Sequence, residues 1–342
     1  MKESLSRRSF IGLGCLGATA AAASLAGCAP KSTDATESPT EASSTGAETS
    51  KKSETLLPNA ANLEFFPPAE SEVAYIADPI TDEEVVETLS CDVVVCGAGM
   101  SGVAAAASAS ENGLSTIVLE KGSSFAARGT EVGAFGDRAH AASDIVLDAQ
   151  AFMNDGLSTA HFRCDRFVWQ RWCDRSGEAL DWAMDTVGDS CGAFTAKSGN
   201  NEFCGVTTWG SGVRVEKGIP SLVEALLKSA ESHGADIRFN TPAVQLLQQD
   251  GRITGVYAKS DEGIIKIEAS QGVVLATGGY EFNWDMLTQR IRPRDLAVYA
   301  WTNPTTTNTG DGILMGLAAG AAEDDWPHIL MNDPAGAKTG TR

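Results

Sequence analysis

The sequence predicts an α/β fold in which a parallel sheet continues into an antiparallel β-meander. Three observations lead to this prediction. A short apolar run at residues 92–96 is typical of a buried parallel strand. A glycine-rich turn and an alanine-rich stretch then lead to a second apolar run at residues 115–119. Further along, strand-like segments follow one another around a polar turn at residues 249–252.

The first of these regions has the layout of a β-α-β unit. Residues 97–102 read Gly-Ala-Gly-Met-Ser-Gly, and residues 103–112 are predicted to form an alanine-rich helix that can pack close to a sheet. Gly113 stands where a left-handed helix cap is needed, and Glu120 ends the second strand. This order of elements and glycines is the spacing of a dinucleotide-binding fingerprint.

Each part of the fingerprint has a physical task. Gly97 makes the turn, Gly99 lets the backbone approach a pyrophosphate, and Gly102 allows close contact between helix and strand. The pyrophosphate would meet free N–H groups at the start of the helix, and Glu120 would hold ribose hydroxyls. The alternative interpretation is a glycine-rich turn in an unrelated α/β sheet.

The second half of the chain supplies a helix and the meander. An amphipathic helix is predicted over residues 220–233, with Gly234 as its stop. Residues 249–252 predict a hairpin turn between two strands. The strand-like segments are residues 236–240, 243–247, 253–259, 264–268 and 273–276.

The N-terminus resembles an export signal. Residues 6–11 read Ser-Arg-Arg-Ser-Phe-Ile and precede an uncharged stretch rich in Ala and Gly, as in twin-arginine signals. Residues 25–28 read Leu-Ala-Gly-Cys and resemble a lipoprotein box, with Cys28 bearing the lipid. Residues 1–27 are therefore expected to be a twin-arginine signal with lipobox, and the protein a cell-envelope lipoprotein anchored on the extracytoplasmic face of the membrane through Cys28. The alternative is a transmembrane anchor, which the Gly and Ala content disfavours.

Composition sets the remaining domain limits and excludes several classes. Residues 28–70 are rich in Ser, Thr, Ala, Glu and Pro and predict a flexible linker, which leaves residues 71–330 for the ordered domain. With 26 Lys+Arg against 45 Asp+Glu the formal net charge is −19. There is no basic stripe, so we expect no nucleic-acid partner. Four scattered histidines and the lack of C-x-x-C predict no metal site, and Cys91 and Cys96, if they share a strand, should point to opposite faces.

Two further sequence segments indicate a resemblance to a known family. Residues 275–280 read Leu-Ala-Thr-Gly-Gly-Tyr, and residues 308–321 read Asn-Thr-Gly-Asp-Gly-Ile-Leu-Met-Gly-Leu-Ala-Ala-Gly-Ala. With the fingerprint, these blocks make the chain resemble the flavoprotein subunits of fumarate reductases and succinate dehydrogenases, and more specifically the exported soluble flavin reductases among them. The resemblance implies a Rossmann-like FAD-binding domain and only the start of a capping domain, truncated within residues 331–342. His140 does not match the segment that attaches FAD covalently in the membrane-bound enzymes, so non-covalent FAD is expected.

The resemblance also assigns residues to the cofactor. Thr277 and Gly278 would line the pyrophosphate, and the backbone of Ala243 or Val244 would meet the adenine. The residues that would hold the ADP half are Gly97, Ala98, Gly99, Ser101, Gly102, Glu120 and Lys121.

The resemblance assigns fewer residues to the flavin end of the cofactor. Gly129 and Thr130 occupy the place of the loop that passes beneath the flavin, without its usual Gly-Gly-x-(Ser/Thr) pattern. Asp311 would lie near the flavin and the substrate. Capping of the following helix by Thr309 or Asp311 is the other interpretation, and both can hold together.

By the same resemblance, the protein is expected to be an FAD-dependent oxidoreductase that reduces the activated C=C bond of a fumarate-like carboxylate by hydride transfer. Its substrate would be a small molecule, and its electron donor external, cytochrome- or quinol-linked, because the sequence has no haem or second-flavin site. No counterpart of the family's catalytic arginine precedes Arg342, so no catalytic residue is assigned. The alternatives are a non-catalytic or degenerate FAD- or nucleotide-binding lipoprotein and a ketosteroid dehydrogenase-like flavoenzyme.

Overall fold

The computed structural model describes residues 72–160, 162–197, 201–203, 206–208, 210–296 and 306–328. All of them belong to one compact unit, Leu56–Arg342. The predicted signal at 1–27, the linker at 28–70 and the start of a cap at 331–342 lie outside the described residues.

The described residues form eleven strands and eight α-helices. The strands are β1 (Val85–Cys96), β2 (Thr116–Leu119), β3 (Glu131–Gly133), β4 (Phe194–Ala196), β5 (Asn201–Phe203), β6 (Val206–Thr208), β7 (Gly212–Val215), β8 (Asp236–Arg238), β9 (Ala243–Gln249), β10 (Arg252–Ser260) and β11 (Gly263–Leu275). The helices are α1 (Met100–Glu111), α2 (Arg138–Ala142), α3 (Ala149–Thr159), α4 (Arg166–Val187), α5 (Ile219–Ser232), α6 (Trp284–Arg290), α7 (Pro293–Leu296) and α8 (Asp311–Ala318).

The main sheet confirms the predicted fold class. Its strand order is β8-β2-β1-β11-β10-β9. Neighbours from β8 to β11 run parallel, whereas β11, β10 and β9 pair antiparallel as a meander. The predicted turn joins β9 to β10, and Asp250 and Gly251 there adopt positive φ angles of 50° and 76°. Two such residues in succession are the conformation of a tight hairpin turn.

The central pair β1 and β11 is longer than the sequence indicated. The two predicted strands at 264–268 and 273–276 form the single strand β11, which pairs with β1 from Val85↔Ile264 to Cys96↔Leu275. The polar residues between them therefore belong to the strand, because β1 supplies hydrogen-bond partners on both sides of an irregularity between Cys91 and Val93.

That irregularity corrects the prediction for the two cysteines. Cys91 and Cys96 do not point to opposite faces, since both are buried in one cluster with Ile267. Asp92 N and Val93 N both donate to the Ser115 carbonyl oxygen, at 2.9 and 3.1 Å, so two residues of β1 face a single residue just before β2. An extra residue of this kind in β1 shifts the alternation of its side chains by one, which brings two residues at an odd spacing to the same face. Burial raises the pKa of the Cys91 thiol to about 11 and that of Cys96 to about 12, so both stay protonated at neutral pH.

Two apolar layers hold the main sheet. Helices α1 and α5 cover one face, where Val95 and Leu226 are buried in a shared cluster. The other face buries Leu119 and Ile267 together with Met315 of α8. Side chains of adjacent strand residues alternate between the two clusters, as a sheet covered on both faces requires.

The remaining elements form smaller layers. Strands β3, β7 and β4 make a three-stranded antiparallel sheet, and β5 pairs with β6. Buried Asp137 caps α2, and its Oδ2 lies 2.5 Å from His140 Nδ1. Among the described helices, none has both the length and the apolar character needed to cross a membrane.

Candidate cofactor site

A cleft of about 580 Å³ opens where β1, β2 and β11 end. In an open parallel sheet, ligands bind at the carboxyl ends of the strands, so the position is the one expected for a nucleotide. The predicted site residues that line this cleft are Gly97, Gly99, Ser101, Glu120, Lys121, Thr277, Gly278 and Asp311. Residues up to 214 positions apart in the sequence thus meet at one edge of the sheet.

The turn at residues 97–102, which we call the glycine wall, is shaped by steric limits. Gly97 has a φ of 109°, and a Cβ there would lie 2.3 Å from the Ala276 carbonyl oxygen. A Cβ on Gly102 would lie 1.8 Å from the carbonyl oxygen of Gly97. Both positions accept only glycine, because a real Cβ never comes so close to a backbone oxygen.

Gly99 differs from its two neighbours. Its φ of −78° suits any residue, and an added Cβ would meet only the Ala126 carbonyl oxygen, at 3.8 Å. The protein itself therefore does not require glycine at this place. Because Gly99 lines the cleft, the missing side chain leaves space for a ligand rather than for another part of the chain.

Glu120 is held as a buried acceptor at the end of β2. Its side-chain Oε2 accepts a hydrogen bond from Ala98 N at 2.8 Å, and Oε1 accepts one from Gly122 N at 2.7 Å. A carboxylate has about four acceptor positions, so further hydroxyl groups can bond to it from the cleft. Ala98 takes part in the site through this backbone bond.

The start of α1 adds donors to the cleft. Its N-cap is Gly99, which has no side chain to bond to the N–H groups of the first turn, and no acidic residue stands in that turn. Such N–H groups attract phosphate through hydrogen bonds and the helix dipole. Cys96 also lines the cleft, and as a neutral thiol it adds no charge.

A second group at the cleft, largely shielded from water, consists of Lys121, Thr309 and Asp311, and we call it the polar node. Lys121 Nζ donates to Thr309 Oγ1 at 2.7 Å and to Asp311 Oδ2 at 3.1 Å. Thr309 Oγ1 in turn donates to Asp311 Oδ2 at 2.8 Å. The Asp311 side chain is 7% exposed, so this ion pair is largely shielded from water.

The loop after β11 connects the glycine wall to the polar node. Ala276 N donates to the Cys96 carbonyl at 2.8 Å, and Thr277 Oγ1 accepts from Gly312 N at 3.2 Å. Gly278 has a φ of 77°, with Asn308 filling the space beside it. Thr277 thus supplies a side-chain acceptor to the first turn of α8.

The capping interpretation for Thr309 and Asp311 is wrong. The N-cap of α8 is Gly310, in a left-handed conformation with φ 78°, and it makes no side-chain cap bond. Both side chains are used in the polar node instead.

Five predicted residues are not part of the cleft lining: Ala98 and Gly102, whose contacts are described above, and Val244, Gly129 and Thr130. Val244 is fully buried, and its carbonyl accepts from Ile76 N at 3.0 Å, while its neighbour Ala243 lines the cleft. Gly129 and Thr130 are exposed, and their carbonyls accept from backbone N–H groups at the end of β7 and the start of α5.

His140 is fully engaged within the protein. Its Nδ1 contacts Asp137, and its Nε2 contacts the Gly210 carbonyl at 2.9 Å. With both ring nitrogens engaged and only 2% of the residue exposed, it offers no atom for a covalent bond to a ligand.

Sequence reasoning missed Arg128 and Glu281, which both line the cleft. Each stands beside a motif residue: Arg128 precedes the predicted Gly129, and Glu281 follows the block at residues 275–280. A charged residue next to a glycine-rich motif was the available signal. Among the described residues, no group of three or more His, Cys, Asp and Glu side chains is placed to hold a metal ion.

The chemistry of this cleft fits a dinucleotide. A carboxylate at Glu120 suits ribose hydroxyls, the open first turn of α1 suits a pyrophosphate, and Gly99 leaves space between them. A Cβ at Gly99 would fill that space without touching the rest of the protein at close range. The residues present therefore fit the group that the fingerprint implies.

Comparisons with known proteins agree with this reading of the cleft. Residues 92–337 match the family model described as "FAD binding domain". The chain is 30% identical over 241 residues to vinyl phenol reductase of Lactiplantibacillus plantarum, covering 68% of this chain and 46% of that protein. It is 27% identical over 259 residues to fumarate reductase (cytochrome) of Shewanella frigidimarina, covering 73% of this chain and 43% of that protein. The chain thus spans less than half the length of these curated relatives.

A solved structure shares the fold. The 3-ketosteroid-Δ4-(5α)-dehydrogenase of Rhodococcus jostii superposes with a TM-score of 0.59 at 23% identity, covering 71% of this chain and 57% of that one. At this level of identity the match concerns the arrangement of helices and strands.

Proposed function

The chain belongs to the FAD binding domain family, and from this we propose that it is an FAD-dependent oxidoreductase that reduces the activated C=C bond of a small, fumarate-like carboxylate. One observation carries the proposal: a buried Glu120 and the open first turn of α1 face one cleft across the side-chain-free Gly99. FAD, when bound, supplies hydride transfer between carbon centres. The protein's part is to bind and orient it.

Different residues of the cleft hold different parts of the cofactor. Glu120 holds the ribose hydroxyls, with its geometry fixed by the N–H groups of Ala98 and Gly122. The first turn of α1 holds the pyrophosphate. Thr277 and Gly278 close the cleft at the end of β11. With both His140 nitrogens bonded inside the protein, the cofactor is held non-covalently.

The substrate class is supported by two relatives whose names describe reductases, one of vinyl phenol and one of fumarate. Arg128 places a cation at the cleft, where it attracts an anionic ligand. We assign no catalytic acid. The electron donor is external and cytochrome- or quinol-linked.

Export belongs to the same proposal. The paired arginines at residues 7 and 8 and the lipobox ending at Cys28 support a twin-arginine lipoprotein. Cys28→Ser should release the protein from the membrane fraction. Persistence of the variant in that fraction would contradict lipid attachment.

The activity is tested on the full chain in two steps. FAD is first added to the purified protein, and bound flavin is measured by absorption after desalting. Glu120→Gln is expected to lose most of this flavin, because an amide cannot accept both backbone hydrogen bonds that hold the carboxylate. Glu262→Gln, in an exposed turn, is the matched control and should retain it.

Reduced methyl viologen then serves as electron donor, and its oxidation is followed on addition of fumarate, a vinyl phenol or a steroid enone. Oxidation driven by fumarate supports the proposal. Oxidation by the steroid alone favours the ketosteroid alternative. Bound FAD without oxidation by any acceptor favours the non-catalytic alternative.

A further inference from the structure

A segment at the start of the described residues contacts groups that line the cofactor cleft. We call residues 72–76 the strap. Ala74 N and Tyr75 N both donate to Asp311 Oδ1, at 2.6 and 3.2 Å, and the Glu72 carbonyl accepts from Lys121 Nζ. Ile76 N continues the contact by donating to the Val244 carbonyl at 3.0 Å.

With the strap in place, the hydrogen-bonding capacity of the polar node is filled. The Lys121 ammonium has three donors, and these meet the Glu72 carbonyl, Thr309 Oγ1 and Asp311 Oδ2. The Asp311 carboxylate accepts from Lys121 and Thr309 at Oδ2 and from Ala74 and Tyr75 at Oδ1. Although Lys121 and Asp311 line the cleft, their polar atoms are committed to the protein.

The node joins two walls that no local segment connects. Lys121 directly follows Glu120 at the end of β2, whereas Asp311 begins α8, 190 residues later. Thr277, which lines the cleft, is tied to the same end of α8 through Gly312 N. A buried ion pair is stable only when its remaining lone pairs and protons are satisfied, and here the strap satisfies Asp311 Oδ1 and one Lys121 proton.

We propose that the strap is a positioning element of the FAD site: it holds the Glu120 wall and the Asp311 wall at the separation that FAD requires. Lys121 and Asp311 then act on the cofactor through this geometry. Because coupling between two sites is reciprocal, FAD in the cleft stabilises the seated strap by the same factor by which the strap raises FAD affinity. The proposal rests on FAD being the ligand of the cleft.

Proline substitutions in the full chain separate the strap from the cleft. Ala74→Pro removes the N–H that bonds to Asp311 and leaves every cleft-lining side chain unchanged. Ala77→Pro is the matched control, since Ala77 is exposed and its N–H bonds to no residue that the structure describes. FAD affinity is measured by quenching of flavin fluorescence. We expect Ala74→Pro to weaken FAD binding at least about fivefold, and Ala77→Pro to change it by less than about twofold.

Hydrogen exchange of the unmodified protein provides an independent measurement. Peptides that contain Ala74 and Tyr75 should exchange more slowly with FAD than without it, by the factor that the reciprocal coupling demands. Normal FAD binding with unchanged exchange in the strap overturns the strap proposal alone, as does normal FAD affinity of a folded Ala74→Pro variant. Absence of FAD binding by the unmodified protein overturns the cofactor assignment and the strap with it.

Discussion

The two sides of the cofactor cleft are built on different principles. The glycine wall, residues 97–102, consists of consecutive residues whose shape follows from steric exclusion, with Cβ positions at Gly97 and Gly102 blocked at 2.3 and 1.8 Å. The polar node of Lys121, Thr309 and Asp311 is assembled from residues up to 190 positions apart and is held by hydrogen bonds and one ion pair. The strap adds contacts across 237 positions.

The difference determines which parts of a nucleotide site can be recognised in the sequence. A steric requirement acts on one residue and its close neighbours, so it leaves a pattern of glycines at fixed spacing. A hydrogen-bonded network needs only complementary groups that meet in the folded chain, so many residue types in many positions can form it. A substitution at a sterically blocked glycine should therefore cause a large loss of stability. A substitution in the polar node should cause a loss that grows with the number of hydrogen bonds removed.

The largest effect is expected from Gly102→Ala in the glycine wall. The added Cβ would collide with a backbone oxygen that cannot move without breaking the turn, so we expect a loss of about 3 kcal/mol or more in the free energy of unfolding. Urea unfolding followed by circular dichroism measures it. Gly272→Ala is the matched control, because a Cβ there meets no atom within 4 Å. Equal stability of the two variants would show that the wall adapts, and the comparison would lose its basis.

The same contrast explains how much could be predicted from the sequence. The unit from β1 to β2 follows from local signals, since each turn, cap and apolar run acts on its neighbours. The continuity of β11 through residues 269–272 did not follow, because it depends on the length of β1, its partner strand. Lys121 and Asp311 were expected at the site, but their direct pairing was not, because no periodicity connects them. The strap belongs to none of the motifs, and its apolar and polar residues carry no pattern of their own.

Gly99→Ala tests whether one position of the glycine wall serves the ligand instead of the fold. Its φ of −78° and its nearest neighbour at 3.8 Å allow a Cβ in the protein alone, so the free energy of unfolding should change by less than about 1 kcal/mol. The methyl group would occupy the place of the pyrophosphate, and FAD affinity should fall about tenfold, or about 1.4 kcal/mol. Titration calorimetry with FAD checks this, and AMP, which has no pyrophosphate, should lose less affinity. Parallel losses for both ligands would mean that Gly99 shapes the whole cleft.

The smallest effect is expected at the ion pair between Arg290 and Glu323, which follows α8 in the sequence. It tests whether the stability that a charged contact contributes, unlike that of the glycine wall, depends on pH. Burial alone would raise the pKa of Glu323, but its hydrogen bonds with Arg290 and Trp326, together with the nearby charges of Arg290 and His328, outweigh this and lower that pKa below its ordinary value of 4.5. A carboxylate whose pKa is lower in the folded state stabilises the fold fully above its ordinary pKa, and this stabilisation is lost as the pH falls through the folded value.

Glu323→Gln keeps an acceptor for Arg290 Nε, which lies 2.5 Å from Glu323 Oε1, but it removes the charge. The free energy of unfolding of the original protein should exceed that of the variant by less than about 1 kcal/mol at pH 5.5, because the variant keeps an acceptor for Arg290 and loses only the charge. The gap should then narrow steadily towards pH 3. Urea midpoints at half-unit steps of pH measure it, with Glu262→Gln as the exposed control that shows no gap. A difference in stability that stays constant over this range would mean that Glu323 contributes through packing and not through charge. The contact would then depend on shape, as the glycine wall does.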